Sequence, residues 1–259
     1  ENALGIQIPL NAELTRTLMN AALFFHDHTV HFYQLHALDF VDIVSALSAD
    51  PKKASDEAFK YCSTPYACGA DQLKAVQDKV AAFVKKGALG PFANAYWGHS
   101  TYHFTPEQNL IALSHYLECL KVQRIAAQMM AVFGGKQPHP QSLTVGGVTC
   151  VMDLKSPARL GEYMVKFEEV ADFINRAYYP DLVMAGKAYA NEASVLNDVG
   201  VPNLFTSRTF MVGKNDYLFD SGIIMNGDIK NVLEVDESKI TEEATHSWYK
   251  NDKALHPYD

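Results

Sequence analysis

The sequence lacks several features that mark common classes of protein. Its four cysteines, Cys62, Cys68, Cys119 and Cys150, include no C-x-x-C pair, which excludes the commonest zinc and iron–sulfur signatures. No uninterrupted run of about 18 apolar residues occurs, so the sequence predicts no membrane-spanning helix. Lysine and arginine number 22 against 30 aspartates and glutamates. The resulting net charge of -8 argues against nucleic-acid binding, which needs a basic surface stripe.

Motifs for nucleophilic and phosphate chemistry are missing as well. No Gly-x-Ser-x-Gly turn occurs, so the sequence gives no support to a serine nucleophile. Gly134-Gly135-Lys136 lacks the other glycine and the Ser/Thr of a phosphate-binding loop, and we interpret it as a turn that stops a helix. Cys62 and Cys68 share a polar loop, and a bridge between them in an oxidising compartment stays an open alternative. Free thiols are nevertheless expected for all four cysteines.

Composition and periodicity predict a helical globular protein. With 259 residues and 48% apolar content, the chain is able to bury a substantial core. We expect a mainly α fold, in which long buried helices form a bundle core and a smaller β region lies at the periphery (α+β). One domain is expected over residues 1–259, with its helical core at about 10–134 and 156–178 and a β and loop region at about 180–236.

Turn-forming residues set the expected boundaries of the elements. Apolar residues recur at three- and four-residue steps from Ala12 and stop before Pro51, which predicts one long helix at the centre of the bundle. A second helix is expected between a cap at Asp71 and a stop at Gly87. The remaining predictions are a helix over 106–134, a strand and turn over 143–150, a helix over 158–178, short strands over 180–236 and a short helix or loop over 242–250.

Residues 26–42 form the most informative segment, because they hold four of the ten histidines and three carboxylates. Burying so many titratable groups costs free energy unless each has a partner. The segment is therefore a metal site, a proton-handling relay or a hydrogen-bonded core helix. On a helix His28 and His31 share a face, whereas His26 and His36 point elsewhere, so only one pair fits a zinc site. The core-helix interpretation is favoured, and the other two stay open.

Two further histidines stand out by their surroundings. His115 lies in an apolar helical pattern and is expected to be a core histidine whose nitrogens bond to neighbouring groups. His139 lies between two prolines in a stiff turn, and its residues alone do not assign it a role.

Longer motifs carry a resemblance to a known family. They are Asn2–Pro9, His26–Asp39, Gly90-Pro91-Phe92, Tyr96-Trp97-Gly98, Asn109-Leu110, His115-Tyr116-Leu117, Phe133-Gly134-Gly135-Lys136 with Pro138-His139, Val145-Gly146-Gly147-Val148 and His246–Lys250. In sequence and order they closely resemble the large subunit of nickel–iron hydrogenases over essentially the whole chain. The likeness is greatest to the membrane-associated, periplasm-facing uptake group.

The resemblance implies a specific chemistry. Members of the family split H₂ heterolytically, or run the reverse reaction, at a nickel–iron centre that carries CO and cyanide on iron. Four cysteine thiolates from two C-x-x-C motifs hold this centre. The chain contains neither motif, and the arginine of the active-site canopy is also missing. Its ends lack a start methionine, a signal peptide and a helix stop. We therefore expect the central part of a large subunit, with no metal ligands of its own and no activity alone.

The resemblance also assigns roles to individual residues. Asp27 matches the canopy aspartate, which lies over the open side of the metals and is placed to polarise H₂ or receive its proton. His28 and His31 would support the same helix. His115 matches a histidine near the interface with the small subunit, which carries the iron–sulfur clusters. The histidine-rich segment is then the surroundings of a metal centre and not its ligand set.

The implied partner is the hydrogenase small subunit, the implied substrate is H₂, and the implied location is the periplasm, with membrane association only through partner subunits. Two alternatives belong to other classes. A helical core without its flanking motifs would expose apolar surface and act as a non-catalytic interaction or assembly module. A metal-free relative of the respiratory quinone-reductase subunit shares the fold, but the intact His26-Asp27-His28 motif argues against it.

Overall fold

The computed structural model describes residues 4–92, 102–150, 157–192, 202–243, 245–246 and 254. The chain divides into two compact units, Glu1–Ser194 and Val195–Asp259. In their described parts, the first unit is built mainly of helices and the second of short strands.

Two long helical rods in the first unit each contain a π-helical segment. The first rod consists of α1 (Leu10–Val30), π1 (His31–His36) and α2 (Ala37–Phe40). The second consists of α6 (Ala158–Phe173), π2 (Ile174–Tyr178) and α7 (Tyr179–Ala188). Between the rods in sequence lie α3 (Pro51–Ala58), α4 (Ala70–Lys85) and α5 (Pro106–Gly134), with short 3₁₀ turns at Ser45–Ser48, Gly90–Phe92 and, after the second rod, Ala190–Glu192.

The first rod ends earlier than the sequence predicted, at Phe40 and not before Pro51. Val41 is extended, and the Asp42 carboxylate accepts hydrogen bonds from the backbone N–H groups of Val44 and Ser45, both at 3.0 Å. The backbone N–H of Asp42 donates to the side-chain oxygen of Asn109 at 2.9 Å. Because Asp42 caps a new turn in this way, the helix stops although its apolar periodicity continues.

The second rod continues through Pro180, where the sequence prediction ended the helix at 178 and began short strands. Proline removes the hydrogen bond to the carbonyl four residues earlier, which is that of Arg176. That carbonyl instead accepts from the backbone N–H of Tyr66 at 3.1 Å. Pro180 lies in the first turn of α7, where proline is tolerated. The predicted strands over residues 180–188 are thus wrong, and this stretch is helical.

The helix boundaries of α4 and α5 follow local capping chemistry. Thr105 accepts from the backbone of Gln108 at 3.2 Å, and the Gln108 side chain accepts from the backbone of Thr105 at 3.1 Å, a capping box. The prediction of α5 from Pro106 to Gly134 is confirmed. Helix α4 begins after Gly69, not at a cap on Asp71, because the side chain of Gln72 accepts from the backbone of Gly69 at 3.0 Å.

Helix α5 is the central helix of the first unit. It packs against α1, α3, α4 and α6, and it contributes residues in turn to three buried clusters, which include Leu110 with Ile111, Cys119 with Val122, and Met129 with Phe133. Helix α1 buries one face only, through Ala12, Thr15, Met19, Ala22 and Thr29. The central position predicted for the histidine-rich rod therefore belongs to α5.

The strands are short and pair in antiparallel hairpins or ladders. In the first unit β1 (Leu143–Thr144) pairs with β2 (Gly147–Val148), which confirms the predicted strand and turn. In the second unit β3 (Leu204–Thr206) pairs with β6 (Gly222–Ile224), and β4 (Thr209–Gly213) pairs with β5 (Asp216–Phe219). The mainly α fold with a smaller β region is confirmed. Within the described residues no helix has both the length and the apolar character to cross a bilayer.

Substitution by alanine is expected to have opposite effects on stability at two helical glycines, Gly134 and Gly161. A Cβ at Gly134 would lie 2.8 Å from the Cβ of Pro140, whereas a Cβ at exposed Gly161 in α6 meets nothing within 4 Å. We expect Gly134→Ala to lower the free energy of unfolding by about 1–3 kcal/mol through overpacking. Gly161→Ala should raise it by about 0.5–1 kcal/mol, because alanine is the better helix former. Urea unfolding of both variants measures this, and a destabilising Gly161→Ala would contradict the packing described for α6.

Candidate functional site

A cleft of about 500 Å³ opens on the outer face of the first rod. Three of the residues singled out from the sequence, Asp27, His28 and His31, lie together in its lining. His115 does not. The lining is completed by Phe32, His36, Phe40 and Tyr178.

The π-helical segment brings His36 into this cleft. In an α-helix residues five apart are separated by about 140° around the axis, since each residue turns the helix by about 100°. In a π-helix the hydrogen bond closes at five residues, so such residues return to nearly the same face. His31 and His36 follow that geometry, and their ring centroids are 4.5 Å apart. The prediction that His36 points elsewhere is thus wrong.

The cleft histidines are exposed, which corrects the expectation of a fully buried core helix. His28, His31 and His36 are exposed, and the residues buried on the opposite face of the rod are Thr29, Tyr33 and Ala37. Exposed imidazoles keep their hydration and avoid the cost of burying titratable groups. The rod therefore has a packing face and a chemical face.

Neighbouring side chains orient the groups in the cleft. The Asp27 carboxylate lies 3.0 Å from Nδ1 of His26 and its side chain is 62% exposed. The His28 ring packs on Phe24, with centroids 4.1 Å apart. Nδ1 of His36 lies 3.6 Å from the Asp39 carboxylate. A carboxylate and three imidazoles along one wall can accept and hand on protons.

The donor groups among the described residues do not form a set that would hold a metal ion. Within the described ranges, no group of three His, Cys, Asp or Glu side chains is placed to hold one. All four cysteines lie in the described ranges and are free thiols, as expected. Burial raises the pKa of Cys119 to about 12, so this residue is a protonated thiol and not a thiolate ligand. The cleft can face a metal centre, but the residues described here do not supply its ligands.

His115 is a satisfied core histidine, as the sequence predicted. It is 2% exposed, and its Nδ1 lies 2.8 and 2.9 Å from the two carboxylate oxygens of Asp181. Its Nε2 lies 2.8 Å from the carbonyl oxygen of Tyr66 and 3.2 Å from the sulfur of Cys68. The hydroxyl of Tyr33 donates to the same Asp181 carboxylate at 2.7 Å. The role beside a partner subunit that the resemblance gives His115 stays a prediction.

The environment of His115 favours its charged form. Burial by itself lowers the pKa of His115, but the negative charge and hydrogen bond of Asp181, with a contribution from Cys68, raise the pKa well above its usual value. Burial and then the Asp181 charge raise the pKa of Tyr33 well above its usual value. Tyr33 therefore stays a hydrogen-bond donor, and Asp181 receives donors from two sides.

Sequence reasoning did not bring Asp181 or Tyr178 to the rod, and it misplaced His36. Tyr178 ends the stretch that was expected to be helical and Asp181 follows it, so neither was placed beside the histidine-rich rod. The prediction assumed a regular helix with 3.6 residues per turn, and this pattern does not reveal the π segment that brings His36 into the cleft. Of the motifs quoted above, residues 2–3, 96–98 and 247–250 lie outside the described residues.

The His115–Asp181 pair predicts a loss of stability as the pH rises. From about pH 6.5 upward the unfolded chain releases the His115 proton while the folded chain retains it, until the raised folded pKa is reached. Relative to His115→Gln, the parent chain should lose up to about 1.4 kcal/mol of unfolding free energy per pH unit in this window.

Urea unfolding between pH 6 and 9 measures this difference. The matched control is Ser114→Ala, which removes the neighbouring buried hydrogen bond to the carbonyl of Ala67 without removing a titrating group. Its curve should run parallel to that of the parent. If the unfolding free energies of His115→Gln and the parent changed in parallel with pH, His115 would not be protonated in the folded chain.

Comparisons with known proteins give matches to hydrogenases along the whole chain. The nickel-dependent hydrogenase family matches residues 1–259. The quinone-reactive Ni/Fe-hydrogenase large chain of Wolinella succinogenes is 62% identical over 259 residues, which are 100% of this chain and 45% of that protein. The uptake hydrogenase large subunit of Rhizobium leguminosarum bv. viciae is 40% identical over 278 residues, 100% of this chain and 46% of that protein.

A solved hydrogenase structure has a similar fold over nearly the whole chain. The Ni-Fe-Se hydrogenase from D. vulgaris Hildenborough in the reduced state matches with a TM-score of 0.69 and 25% identity, over 97% of this chain and 42% of that one. The chain thus spans about 45% of the length of the curated relatives named here. The match over every residue, the shared fold and the motifs around Asp27 establish that the chain belongs to the nickel-dependent hydrogenase family.

Proposed function

We propose that the whole protein oxidises H₂ reversibly to protons and electrons at a nickel–iron centre, and that the cleft of this chain faces that centre. The observation that carries the proposal is the chemical face of the first rod. It presents Asp27 with three imidazoles at an open surface, in a chain that matches the family over all its residues. Groups that handle protons are exposed there, and a ligand set is not found among the described residues.

Asp27 is the proton acceptor in this proposal. Oxidation of one H₂ releases two protons and two electrons, so the site needs a base within reach of the reacting hydrogen. The exposed Asp27 carboxylate, held by His26 at 3.0 Å, provides that base. His28, His31 and His36 share the cleft and are placed to take the proton onward to solvent. The chain's contribution is therefore proton transfer and orientation.

The centre itself requires residues beyond those of this chain. In line with the family resemblance, we propose that it carries CO and cyanide on iron and that four cysteine thiolates from two C-x-x-C motifs hold it. No such motif occurs in this chain. The electrons pass to a small subunit with iron–sulfur clusters. Relatives named for H₂ uptake and for reaction with quinone support H₂ oxidation with a quinone as the final acceptor. A periplasmic location, with membrane association through partner subunits, completes the proposal.

Metal content tests where the ligands lie. We expect about one nickel per molecule in the full-length protein assembled with its small subunit, and none bound tightly by the 259-residue chain alone, because its described residues offer no set of three donors. Elemental analysis after dialysis against a chelator measures both. Stoichiometric nickel on the 259-residue chain would contradict the proposal.

Substitution of the proposed base tests its role. In the full-length protein with its small subunit, Asp27→Asn should lower H₂ turnover by about 10²–10⁴-fold, the usual contribution of a positioned acid–base group, while the nickel content stays unchanged. The control is Asp56→Asn, which changes an exposed carboxylate on α3 outside the cleft and should leave turnover within twofold of the parent. Equal turnover of the two variants would exclude Asp27 as the proton acceptor.

A further inference from the structure

A buried polar cluster lies on the packing face of the rod that carries the cleft. We call Tyr33, Asp181 and His115 the buried triad. Their relative exposures are 1%, 4% and 2%, and none of them lines the 500 Å³ cleft. The triad has no place in the proton chemistry proposed above, although Tyr33 belongs to the same six-residue π segment as His31 and His36.

The hydrogen bonds of the triad fix where each proton lies. The carbonyl of Tyr66 and the carboxylate of Asp181 can only accept, and they lie 2.8 Å from Nε2 and Nδ1 of His115 respectively. Both ring nitrogens therefore carry hydrogen, and His115 is an imidazolium paired with a carboxylate. The phenol of Tyr33 supplies the remaining donor to Asp181 at 2.7 Å. A charged pair at this depth is stable only while these donors stay in place.

This requirement fixes the rotation of the π segment about its axis. If residues 31–36 adopted α-helical geometry, the side chains on the C-terminal side of the segment would rotate about the helix axis relative to those on its N-terminal side. The Tyr33 hydroxyl would leave Asp181, and the buried carboxylate would lose a donor. His31 and His36, which now lie with ring centroids 4.5 Å apart, would separate around the helix. The same geometry that satisfies Asp181 thus holds these two imidazoles together in the cleft.

The second rod supports the arrangement from outside the triad. Asp181 follows Pro180 at the start of α7, directly after π2. The Tyr33 ring packs against Phe173 and Tyr178, with centroids 5.5 and 6.1 Å apart. Ring packing holds Tyr33 in the core without fixing one orientation. The hydrogen bond from the Tyr33 hydroxyl to Asp181 is directional and does fix it. Gln34 in the same segment accepts a hydrogen bond from the Cys119 thiol at 3.5 Å, but a thiol is a weak donor. The rotation of π1 therefore depends mainly on the Tyr33–Asp181 hydrogen bond.

We propose that the buried triad is a positioning device: Tyr33, anchored by the Asp181–His115 pair, holds the π segment so that His31 and His36 share the wall of the cleft. Tyr33 and Asp181 act through the helix and touch no cleft group in this role. The consequence for H₂ turnover rests on the function proposed above, whereas the geometric consequence does not.

The test compares two buried phenols. Tyr33→Phe keeps the ring and removes the anchor. Tyr163→Phe removes an equally buried phenol whose hydroxyl donates to the carbonyl of Leu18 in α1 at 2.8 Å, outside the π segment. Both variants should lower stability, so stability alone does not distinguish them. The distinguishing readout is the contact between the His31 and His36 rings in crystal structures of the two variants, each prepared as the full-length protein with its small subunit.

We expect Tyr33→Phe to abolish the ring contact and Tyr163→Phe to retain it. A contact that persists in Tyr33→Phe, or disappears equally in both variants, would overturn the positioning role. In the full-length protein with its small subunit, Tyr33→Phe should lower kcat for H₂ oxidation by about tenfold or more with KM for H₂ unchanged, as expected for displaced proton-transfer groups. Loss of the contact with full turnover would support the triad and count against the proposed role of the cleft.

Discussion

The cost of burying polar groups on the central helix organises the first unit. Helix α5 is buried along most of its length and nevertheless carries Asn109, Ser114 and His115 in its core turns. Each must find a partner, because an unpaired buried polar group costs about 1–3 kcal/mol and an unpaired charge more. Asn109 bonds the backbone of Asp42, Ser114 the carbonyl of Ala67, and His115 the carboxylate of Asp181. Three segments distant in sequence are thereby fixed around one helix.

The two π segments follow from the same requirement. Proline at position 180 frees the carbonyl of Arg176, and the loop that contains Tyr66 satisfies it. That loop also offers its Tyr66 carbonyl to His115. One short loop therefore completes both the irregular backbone of the second rod and the charged pair of the core. In the first rod, π1 places Tyr33 against Asp181. The departures from α-helical geometry occur where the core needs a hydrogen bond that a regular helix would not supply.

Local chemistry made part of this fold predictable from the sequence. The capping box at Thr105 and the left-handed glycine after α5, Gly135, are short-range signals, and both boundaries were predicted. The end of the first rod was not, because it depends on Asn109, 67 residues away from Asp42. The helical course through Pro180 depends on Tyr66 in the same way. Features that a distant partner decides leave no trace in a local pattern, and the π segments and Asp181 belong to that group.

In the candidate site, too, features set by local spacing were predictable from the sequence and features set by distant residues were not. The α-helical spacing of His28 and His31 predicted that these two share a face, and both line the cleft together with Asp27. The exposure of the imidazoles was the unexpected part, and it is consistent with the proposed proton transfer. His115 keeps its proton to a higher pH than a free imidazole, because Asp181 is its fixed buried partner. Asp27 and the cleft imidazoles lie in contact with solvent, outside the core. One rod can therefore present a carboxylate and imidazoles on its chemical face because its packing face pairs its own polar groups within the core.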